Sequence, residues 1–344
     1  MRFSVAFLGA LAVSSNAVSL PKYGGGANRY ALIGYGKDNP IGATTGGKGG
    51  ESVTASTAED LLAAVQGNEP RQIYVKGSIS LPSRLAPGSN KSILGVGSNA
   101  EILENGISVV NQTNVIIRNI AIRFILDNDG ITIQNTTRVW VDHCEFESEF
   151  SQDVGPDTYD GQLDLVVASD WITVSWNYFH DHWKSSLVGN SDVLRDVDFG
   201  HLHVSYHHNY WRNEGTRGPA GRFGHQHIFN NFYQDFHYQA IHSRSDNQVL
   251  VEANVFRGDT REALSTYGLV IPEDSPNTSP EGDFEIDGFA NLGAKNDWGP
   301  ASINITQVGD FTSVPYEYNL TPLRQVQRVV KAGAGVGKIK VHAL

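Results

Sequence analysis

Two arginines five positions apart, Arg217 and Arg222, flank Pro219 in the segment TRGPAGRFGHQH. A third cation, Lys184, lies upstream in HDHWKSSLVG. Two guanidinium groups cannot neutralise each other, so the pair either contacts separate carboxylates or binds an anion from outside. The chain is acidic, with 26 Lys and Arg against 37 Asp and Glu. We interpret this local positive charge as a binding site for an anionic ligand.

Four aspartates in two short segments form an acidic counterpart. Asp127 and Asp129 lie two apart in LDNDG, on the approach to a strand, and are expected to point to the same side. Asp160 and Asp164 lie four apart in TYDGQLD, where a turn or bulge could bring them together. Such carboxylates repel unless a cation lies among them, and hard oxygen ligands favour Ca²⁺. Spacing alone leaves open that these aspartates only cap turns.

A recurring pattern between residues 114 and 256 predicts the scaffold that positions these groups. Alternating apolar residues lead to a polar residue and then another apolar one in NVIIRNIAI, RVWVDHCEF, WITVSWNYF, LHVSYHHNYW, QHIFNNFY and VLVEANVF. With Asn119, His143, Asn177, Asn209, Asn231 and Asn254 taken as equivalent, the separations are 24, 34, 32, 22 and 23 residues. The short spacings leave no room for a crossover helix in every unit and suit coils of a parallel β-solenoid.

The main alternative architecture is a large antiparallel β-sandwich, which also has many short strands. The solenoid is favoured because asparagines at one place in each coil can stack as a hydrogen-bonded ladder. We predict an all-β fold with long loop insertions on one face. In TAEDLLAAV, the N-cap Thr57 and the apolar residues Leu61, Leu62 and Val65 predict a helix that covers one end of the core. The tail beyond about residue 257 loses the pattern and is expected to pack along the outside.

Histidines and one cysteine raise two further possibilities. A zinc site is conceivable among His201, His203, His207, His208, His225 and His227, but their alternation within strands favours stacking between adjacent coils. Cys144 is the only cysteine, so an internal disulfide is impossible. Its apolar neighbours predict a buried, inert thiol.

The N-terminal segment MRFSVAFLGALAVSSNA predicts a secretory signal over residues 1–17, with an approximate cleavage site, followed by a single domain over 18–344. No later apolar run is long enough to span a bilayer, so we expect a released protein. A net charge of −11 argues against nucleic acid and anionic membranes as partners. Six N-glycosylation sequons begin at Asn90, Asn111, Asn135, Asn277, Asn304 and Asn319.

Several longer motifs resemble those of secreted fungal pectate lyases. They are TTGGKGG, SNKSILGVG, DGQLDLVVASDWITVSWNYF, HDHWKSSLVG, RGPAGRFGHQHIFNNFY and VVKAGAGVGK, and the similarity covers most of the chain after residue 17. The resemblance implies a right-handed parallel β-helix and a monomeric extracellular enzyme that degrades plant cell-wall pectin. It further implies Ca²⁺-dependent cleavage of α-1,4-linked polygalacturonate by β-elimination.

Carried over by position, the resemblance places the Ca²⁺ carboxylates at Asp129, Asp160 and Asp164, with Asp127 as a further acidic ligand. It assigns substrate binding to Lys184 and Arg222 and the catalytic role to Arg217, the first arginine of the R-x-P-x-x-R pattern. Some family members have Glu where this chain has Asp160. Neighbouring cations and Ca²⁺ are expected to lower the pKa of the catalytic arginine, which is otherwise above about 12.

Other functions remain open on sequence grounds. Pectin lyases act on the methylated polymer without Ca²⁺ and have a basic residue among the positions of the acidic ligands, whereas this chain keeps the acids. A polygalacturonan hydrolase would need a general acid and a water-activating carboxylate. A polygalacturonan-binding solenoid would keep the charged contacts without turnover.

Overall fold

Short runs of β-branched and aromatic residues form 27 strands in the computed structural model of this protein, which describes residues 30–151, 153–275 and 277–342. The predicted signal segment lies outside the described residues. The strands are β1 (Glu51–Ala55), β2 (Arg71–Val75), β3 (Ser78–Ser80), β4 (Lys91–Gly95), β5 (Glu101–Leu103), β6 (Ile107–Val110), β7 (Thr113–Arg118), β8 (Ala121–Arg123), β9 (Ile131–Gln134), β10 (Thr137–Asp142), β11 (Glu145–Glu147), β12 (Leu163–Val166), β13 (Asp170–Ser175), β14 (Tyr178–Lys184), β15 (Leu187–Val188), β16 (His203–His207), β17 (Tyr210–Thr216), β18 (Ala220–Arg222), β19 (His225–Phe229), β20 (Phe232–Arg244), β21 (Gln248–Glu252), β22 (Val255–Arg257), β23 (Glu262–Ser265), β24 (Leu269–Val270), β25 (Asp283–Phe284), β26 (Phe289–Leu292) and β27 (Ser302–Asn304). The helices are α1 (Ala58–Ala64), α2 (Arg195–Asp198) and α3 (Leu323–Gly333).

The strands stack in three parallel columns. The first column runs β1-β2-β4-β7-β10-β13-β16-β19-β21-β26. The second runs β3-β5-β8-β11-β14-β17-β20-β22, and the third runs β6-β9-β12-β15-β18-β20-β23-β27. The long strand β20 belongs to both of the last two columns. Only β24 and β25 pair antiparallel among the strands of the described residues. The parallel β-helix is therefore confirmed, and the β-sandwich is excluded.

Like side chains stack on one another inside the helix because each strand pairs in register with the same position of the next coil. Five rings follow this register through the interior, with successive centroids between 4.0 and 5.9 Å apart: Phe146, Phe179, Trp211, Tyr233 and Phe256. All five are buried. Offset-stacked rings add specific attraction to the burial of their apolar area, so this column resists slippage between coils.

An asparagine ladder runs along one bend of the coils, as predicted. The main-chain N–H of Asn177 donates to Oδ1 of Asn209 at 3.0 Å, and its side-chain Nδ2 donates to the same atom at 3.1 Å. The pattern repeats through the buried side chains Asn177, Asn209, Asn231, Asn254 and Asn296. Each amide thus satisfies a main-chain group that would otherwise be buried without a partner.

The positions predicted to be equivalent between coils are wrong by one residue in the first two coils. The main-chain N–H of Cys144 donates to Asn177 Oδ1 at 2.8 Å, so Cys144 and not His143 lies level with the ladder. Asn119 and His143 instead form the bend itself, with φ values of 61° and 50°. Asparagine is favoured both in this left-handed conformation and in the ladder, and the sequence pattern does not separate the two causes. The ladder residue Asn296 was missed because a long insertion precedes it.

The coils extend beyond residues 114–256, where the repeating pattern is found in the sequence. They begin at Glu51 in β1 and continue to Asn304 in β27. The expectation that the whole tail lies outside is therefore only partly correct. Helix α3 does pack on the outside, where Val326 and Val330 join Tyr210 and Phe232 in a small apolar cluster.

Helix α1 begins and packs as predicted. The hydroxyl of Thr57 accepts the main-chain N–H of Asp60 at 3.1 Å. Leu61 and Val65 are fully buried in the main core, and Leu62 packs against it. Because α1 follows β1, the first strand of its column, the helix shields the apolar interior at that end.

The single thiol and the histidines also follow the expectations. Cys144 is fully buried, and burial raises the pKa of its thiol to about 12, so the thiol is inert. His203 stacks on His225 of the next coil with centroids 5.4 Å apart, and its Nδ1 lies 2.8 Å from Asp170 Oδ1. These contacts are those of stacked, hydrogen-bonded side chains.

Candidate active site

The acidic residues converge near the first residues of two neighbouring strands in the third column, β9 and β12. Asp129 lies two residues before the start of β9, and Asp164 lies within β12 of the neighbouring coil, in register with Thr132. The main-chain N–H of Gly161 donates to Asp129 Oδ1 at 3.0 Å, and the Thr132 hydroxyl donates to Asp129 Oδ2 at 2.5 Å. Adjacent coils therefore hold two of the predicted ligands side by side.

This acidic pair lacks sufficient positive charge. Burial raises the pKa of Asp164 well above its usual value, and Asp129 and Asp160 raise it further, against the opposing effect of Arg217. Burial also raises the pKa of Asp129, with Asp160 adding to the effect. A set of repelling oxygen ligands fits a hard divalent cation, because such an ion would relieve both the burial penalty and the repulsion.

Asp160 and Lys184 are already paired with each other. Lys184 Nζ lies 3.3 Å from Asp160 Oδ1 and 3.1 Å from Asp157 Oδ1. The lysine is buried, whereas the Asp160 side chain is 54% exposed. A predicted substrate contact and a predicted metal ligand are thus immediate neighbours. The role of Asp157 was not predicted, because a single aspartate in a long loop forms no motif.

Asp127 does not lie on the approach to a strand, as the sequence analysis expected. Asp127 lies in an exposed turn with φ of 56°, and strand β9 begins only at Ile131. The two-residue alternation of a strand does not apply across a left-handed residue, so Asp127 and Asp129 need not share a side.

A different set of metal-ligating groups comes closer together than the predicted one. Within the described residues, Glu145, Glu147 and His180 bring one ligand atom each to within 4.8 Å of one another, which the three predicted aspartates do not. Arg123 already occupies this cluster, with ion pairs of 2.5 Å to Glu145 and 3.0 Å to Glu147. The guanidinium group provides the positive charge here, so we interpret the cluster as an ion-pair network.

Arg84 supports the acidic pair from two coils earlier and was not predicted. Its Nη1 donates to the main-chain oxygen of Asp129 at 3.0 Å, and its Nη2 donates to the Thr132 hydroxyl at 2.9 Å and the Ile107 carbonyl at 2.8 Å. Thr132 in turn holds the Asp129 carboxylate. Arg84 therefore fixes Asp129 through both its main chain and a neighbouring hydroxyl.

His182 holds the main chain of Asp160. Its Nε2 donates to the Asp160 carbonyl at 2.6 Å, and its Nδ1 lies 2.5 Å from the Ser148 hydroxyl. Burial lowers the pKa of His182 to about 4, so the ring is neutral near pH 7. The role of His182 was not predicted, because a single histidine beside Lys184 forms no motif.

Arg217 lies directly after β17 and is bound to a carboxylate from the tail. Its Nε donates to Asp274 Oδ1 at 2.7 Å, and its Nη2 donates to the carbonyl oxygen of the same residue. Both residues are buried. Burial alone would lower the pKa of Arg217, but Asp274 and Asp164 outweigh it and raise the pKa. The expected lowering of this pKa is therefore wrong in the protein without its ligands.

Arg222, the last residue of β18, makes a two-pronged ion pair with Glu285. Its Nε and Nη2 donate to the two carboxylate oxygens at 2.9 and 2.6 Å, and its Nη1 donates to the Gly189 carbonyl at 2.8 Å. The expectation that the two arginines avoid internal carboxylates is wrong. Each has its own partner, because the segment between β23 and β26 folds back onto them.

The comparisons with known proteins decide the family. The pectate lyase family model matches residues 34–339. The chain belongs to the pectate lyase family. It is 39% identical to pectate lyase A of Aspergillus niger over 308 residues, which cover 89% of this chain and 87% of the relative. It is 38% identical to a probable pectate lyase A of Aspergillus fumigatus over 331 residues, or 95% of each chain.

Solved structures of pectate lyases share the fold. A pectate lyase from Bacillus sp. N165 in complex with trigalacturonate superposes with a TM-score of 0.73 at 30% identity, covering 89% of this chain and 99% of that one. A variant pectate lyase from Xanthomonas campestris gives 0.68 at 26% identity, covering 90% and 99%. The family assignment makes this chain an enzyme with a parallel β-helix, as predicted. In the described part of the chain, every helix is too short or too polar to cross a membrane.

Proposed function

We propose that this enzyme cleaves α-1,4-linked polygalacturonate by Ca²⁺-dependent β-elimination. The main support is the juxtaposition of Asp164 and Arg217, which lie close enough for each to shift the pKa of the other. The acidic pair of Asp129 and Asp164, which lacks positive charge, thus adjoins a cation row formed by Lys184, Arg217 and Arg222. That combination suits an anionic polymer whose carboxylate bridges a divalent cation and basic side chains.

Asp129, Asp160 and Asp164 would hold the Ca²⁺, with Asp127 as a further ligand if its exposed turn closes on the site. Bound Ca²⁺ supplies positive charge beside the uronate carboxylate and so makes the neighbouring C5 hydrogen more acidic. On the protein side, Arg84 and His182 hold the main chains of Asp129 and Asp160.

The side chains of the cation row bind the uronate and remove its C5 proton. Lys184 Nζ and the remaining donors of Arg222 bind the uronate, and Arg217 takes the C5 proton at Nη1. The electrons of the C5–H bond form the C4–C5 double bond, and the C4–O bond to the leaving sugar breaks. The leaving oxygen gains a proton from water. Buried cations beside the developing negative charge stabilise the transition state.

Arginine acts as a base only when it loses its own proton. The pKa of Arg217 is raised by Asp274, Asp164 and Asp160, so the reaction is expected to favour alkaline solution. Asp164 and Asp160 are themselves proposed Ca²⁺ ligands, so the ion would cancel their part of this effect.

The setting of the reaction is proposed to be extracellular. We propose a secreted monomer that acts on the pectin of plant cell walls; the predicted signal segment supports secretion. A solved relative bound to trigalacturonate supports the polymer as substrate. Five sequon asparagines are exposed and accessible to glycosylation: Asn111, Asn135, Asn277, Asn304 and Asn319.

One assay separates this proposal from its alternatives. The protein is incubated with polygalacturonate and Ca²⁺, and ultraviolet absorbance of unsaturated uronide is followed together with reducing ends. β-Elimination raises both signals, and excess chelator abolishes both. Reducing ends without absorbance would indicate a hydrolase, and neither signal would indicate a binding protein. Faster cleavage of highly methylated pectin, undiminished by chelator, would identify a pectin lyase.

A further inference from the structure

A buried arginine links the two arginines of the cation row. Arg244, the last residue of β20, is 1% exposed and pairs in register with Arg222. Its Nη1 donates to Asp274 Oδ2 at 2.7 Å, and its Nε lies 3.3 Å from Glu285 Oε2. Charges therefore alternate through the network in the order Arg217, Asp274, Arg244, Glu285, Arg222. Buried charges persist only when they are paired in this way.

The contacts of Asp274 define the orientation of Arg217. Oδ1 accepts Nε of Arg217, and the carbonyl oxygen of Asp274 accepts Nη2. Two bonds to one residue fix the plane of a guanidinium group as well as its position. Nη1 of Arg217 makes no hydrogen bond to any described residue. Asp274 thus holds two nitrogens and leaves the third available to a ligand.

We propose that Asp274 is a positioning residue for the elimination reaction, which holds the Arg217 guanidinium so that Nη1 meets the substrate. This inference rests on the proposed function. Arg244 acts indirectly, because it binds the second carboxylate oxygen of Asp274 and so holds Asp274 in place. The segment between β23 and β26, which is not part of the regular coils, thereby contributes to the reaction site.

In an alternative role, Asp274 would occupy Arg217 only until a uronate carboxylate of the substrate displaces it. Its surroundings oppose this role. Asp274 is 1% exposed, and both of its carboxylate oxygens are bound by buried arginines. Removing it would leave Arg217 and Arg244 without a shared counter-charge, which is costly in a buried site.

The test compares Asp274→Asn with Asp283→Asn. Asp283 lies on β25 of the same tail segment but is exposed, and among the described residues its carboxylate accepts only a main-chain N–H, from Ser279 at 3.2 Å. Asparagine at 274 keeps the shape but removes the charge that binds two arginines. Since misplacement by about 1 Å can cost roughly 10²-fold, kcat on polygalacturonate is expected to fall by about that factor, with KM changed less than about threefold. Asp283→Asn should match the wild type.

A second measurement, of solvent exchange at Arg217, does not depend on turnover. In ¹⁵N NMR spectra, the Nε–H of Arg217 should be protected from solvent exchange in the wild type and in Asp283→Asn, and should lose protection in Asp274→Asn. The signal is assigned with an Arg217→Lys sample. Retained protection, unchanged kcat, or a lower KM with kcat intact would each overturn the inference. If the wild type yields no unsaturated product, the proposed function fails, and the NMR result alone decides the positioning role.

Discussion

Replacing Asp164 by Asn is expected to stabilise the protein when Ca²⁺ is absent. Burial and two like-charged neighbours raise the pKa of this carboxyl group in the folded state. A raised folded-state pKa means that stability from this group is present at low pH and is lost as the pH rises. At pH 7 the ligand-free protein therefore carries a penalty that asparagine removes, while the amide oxygen can still accept the Leu187 N–H.

The size of the effect follows from the charges around Asp164. Two like charges roughly 7 Å apart repel by about 2 kcal/mol at an effective dielectric constant of about 20. Burial is the largest cause of the raised pKa; Asp129 adds the larger repulsion, Arg217 opposes it, and Asp160, which is exposed and paired with Lys184, adds less. We therefore expect Asp164→Asn to raise the free energy of unfolding by about 2 kcal/mol at pH 7.

Urea unfolding of the wild type and the variant, with chelator and with Ca²⁺, measures this difference. Saturating Ca²⁺ at about 100 times Kd should add about 2.7 kcal/mol to the wild type and much less to the variant. Asp153→Asn is the control, because Asp153 is an exposed residue of the same loop. In chelator, the difference in the free energy of unfolding between variant and wild type should shrink as the pH is lowered, because a carboxyl group with a raised pKa becomes protonated.

A destabilised Asp164→Asn variant at pH 7 in chelator would refute this reasoning. It would mean that Arg217 and the Leu187 N–H stabilise the ionised carboxylate by more than burial and repulsion cost. An equal Ca²⁺ response in variant and wild type would remove Asp164 from the metal site.

Three further predictions concern the scaffold. Asn209→Ala should cost about 2–4 kcal/mol because it leaves the Asn177 N–H and the Val174 carbonyl buried without partners, whereas the exposed control Asn190→Ala should be neutral in the same urea titration. Thr57→Ala should cost about 1 kcal/mol through loss of the α1 cap, seen as a lower urea midpoint with unchanged slope. Because burial lowers the pKa of His182 from its usual value of about 6.5 to about 4, its contribution to the free energy of unfolding should fall by about 1.4 kcal/mol per pH unit as the pH is lowered through this range. A His182→Gln variant whose midpoint depends on pH in this range as strongly as that of the wild type would contradict the last prediction.

The coils were predictable because their signal is local and repeated. Alternation, short spacing and a recurring asparagine each point to stacked parallel strands, and the paired register of β13, β16 and β19 agrees with them. The error at Asn119 and His143 arose because one residue type serves two structural purposes one position apart.

The partners of the arginines were not predictable from spacing. Asp274 is 57 residues from Arg217, and Glu285 is 63 residues from Arg222. The intervening chain contains both regular coils and an irregular excursion, so no period relates the members of each pair. Asp127 illustrates the same limit at short range, since a single left-handed residue overrides the alternation of a strand.

Turnover of Arg217→Lys on polygalacturonate tests the central claim most directly. Lysine keeps the charge but has one nitrogen in place of three, and Asp274 would bind it and leave no group facing the substrate. The account predicts a loss of on the order of 10²-fold or more in kcat, with oligogalacturonate affinity and the unfolding midpoint close to those of the wild type. Turnover near the wild-type value in this folded, substrate-binding variant would contradict the assignment of Arg217 as the base.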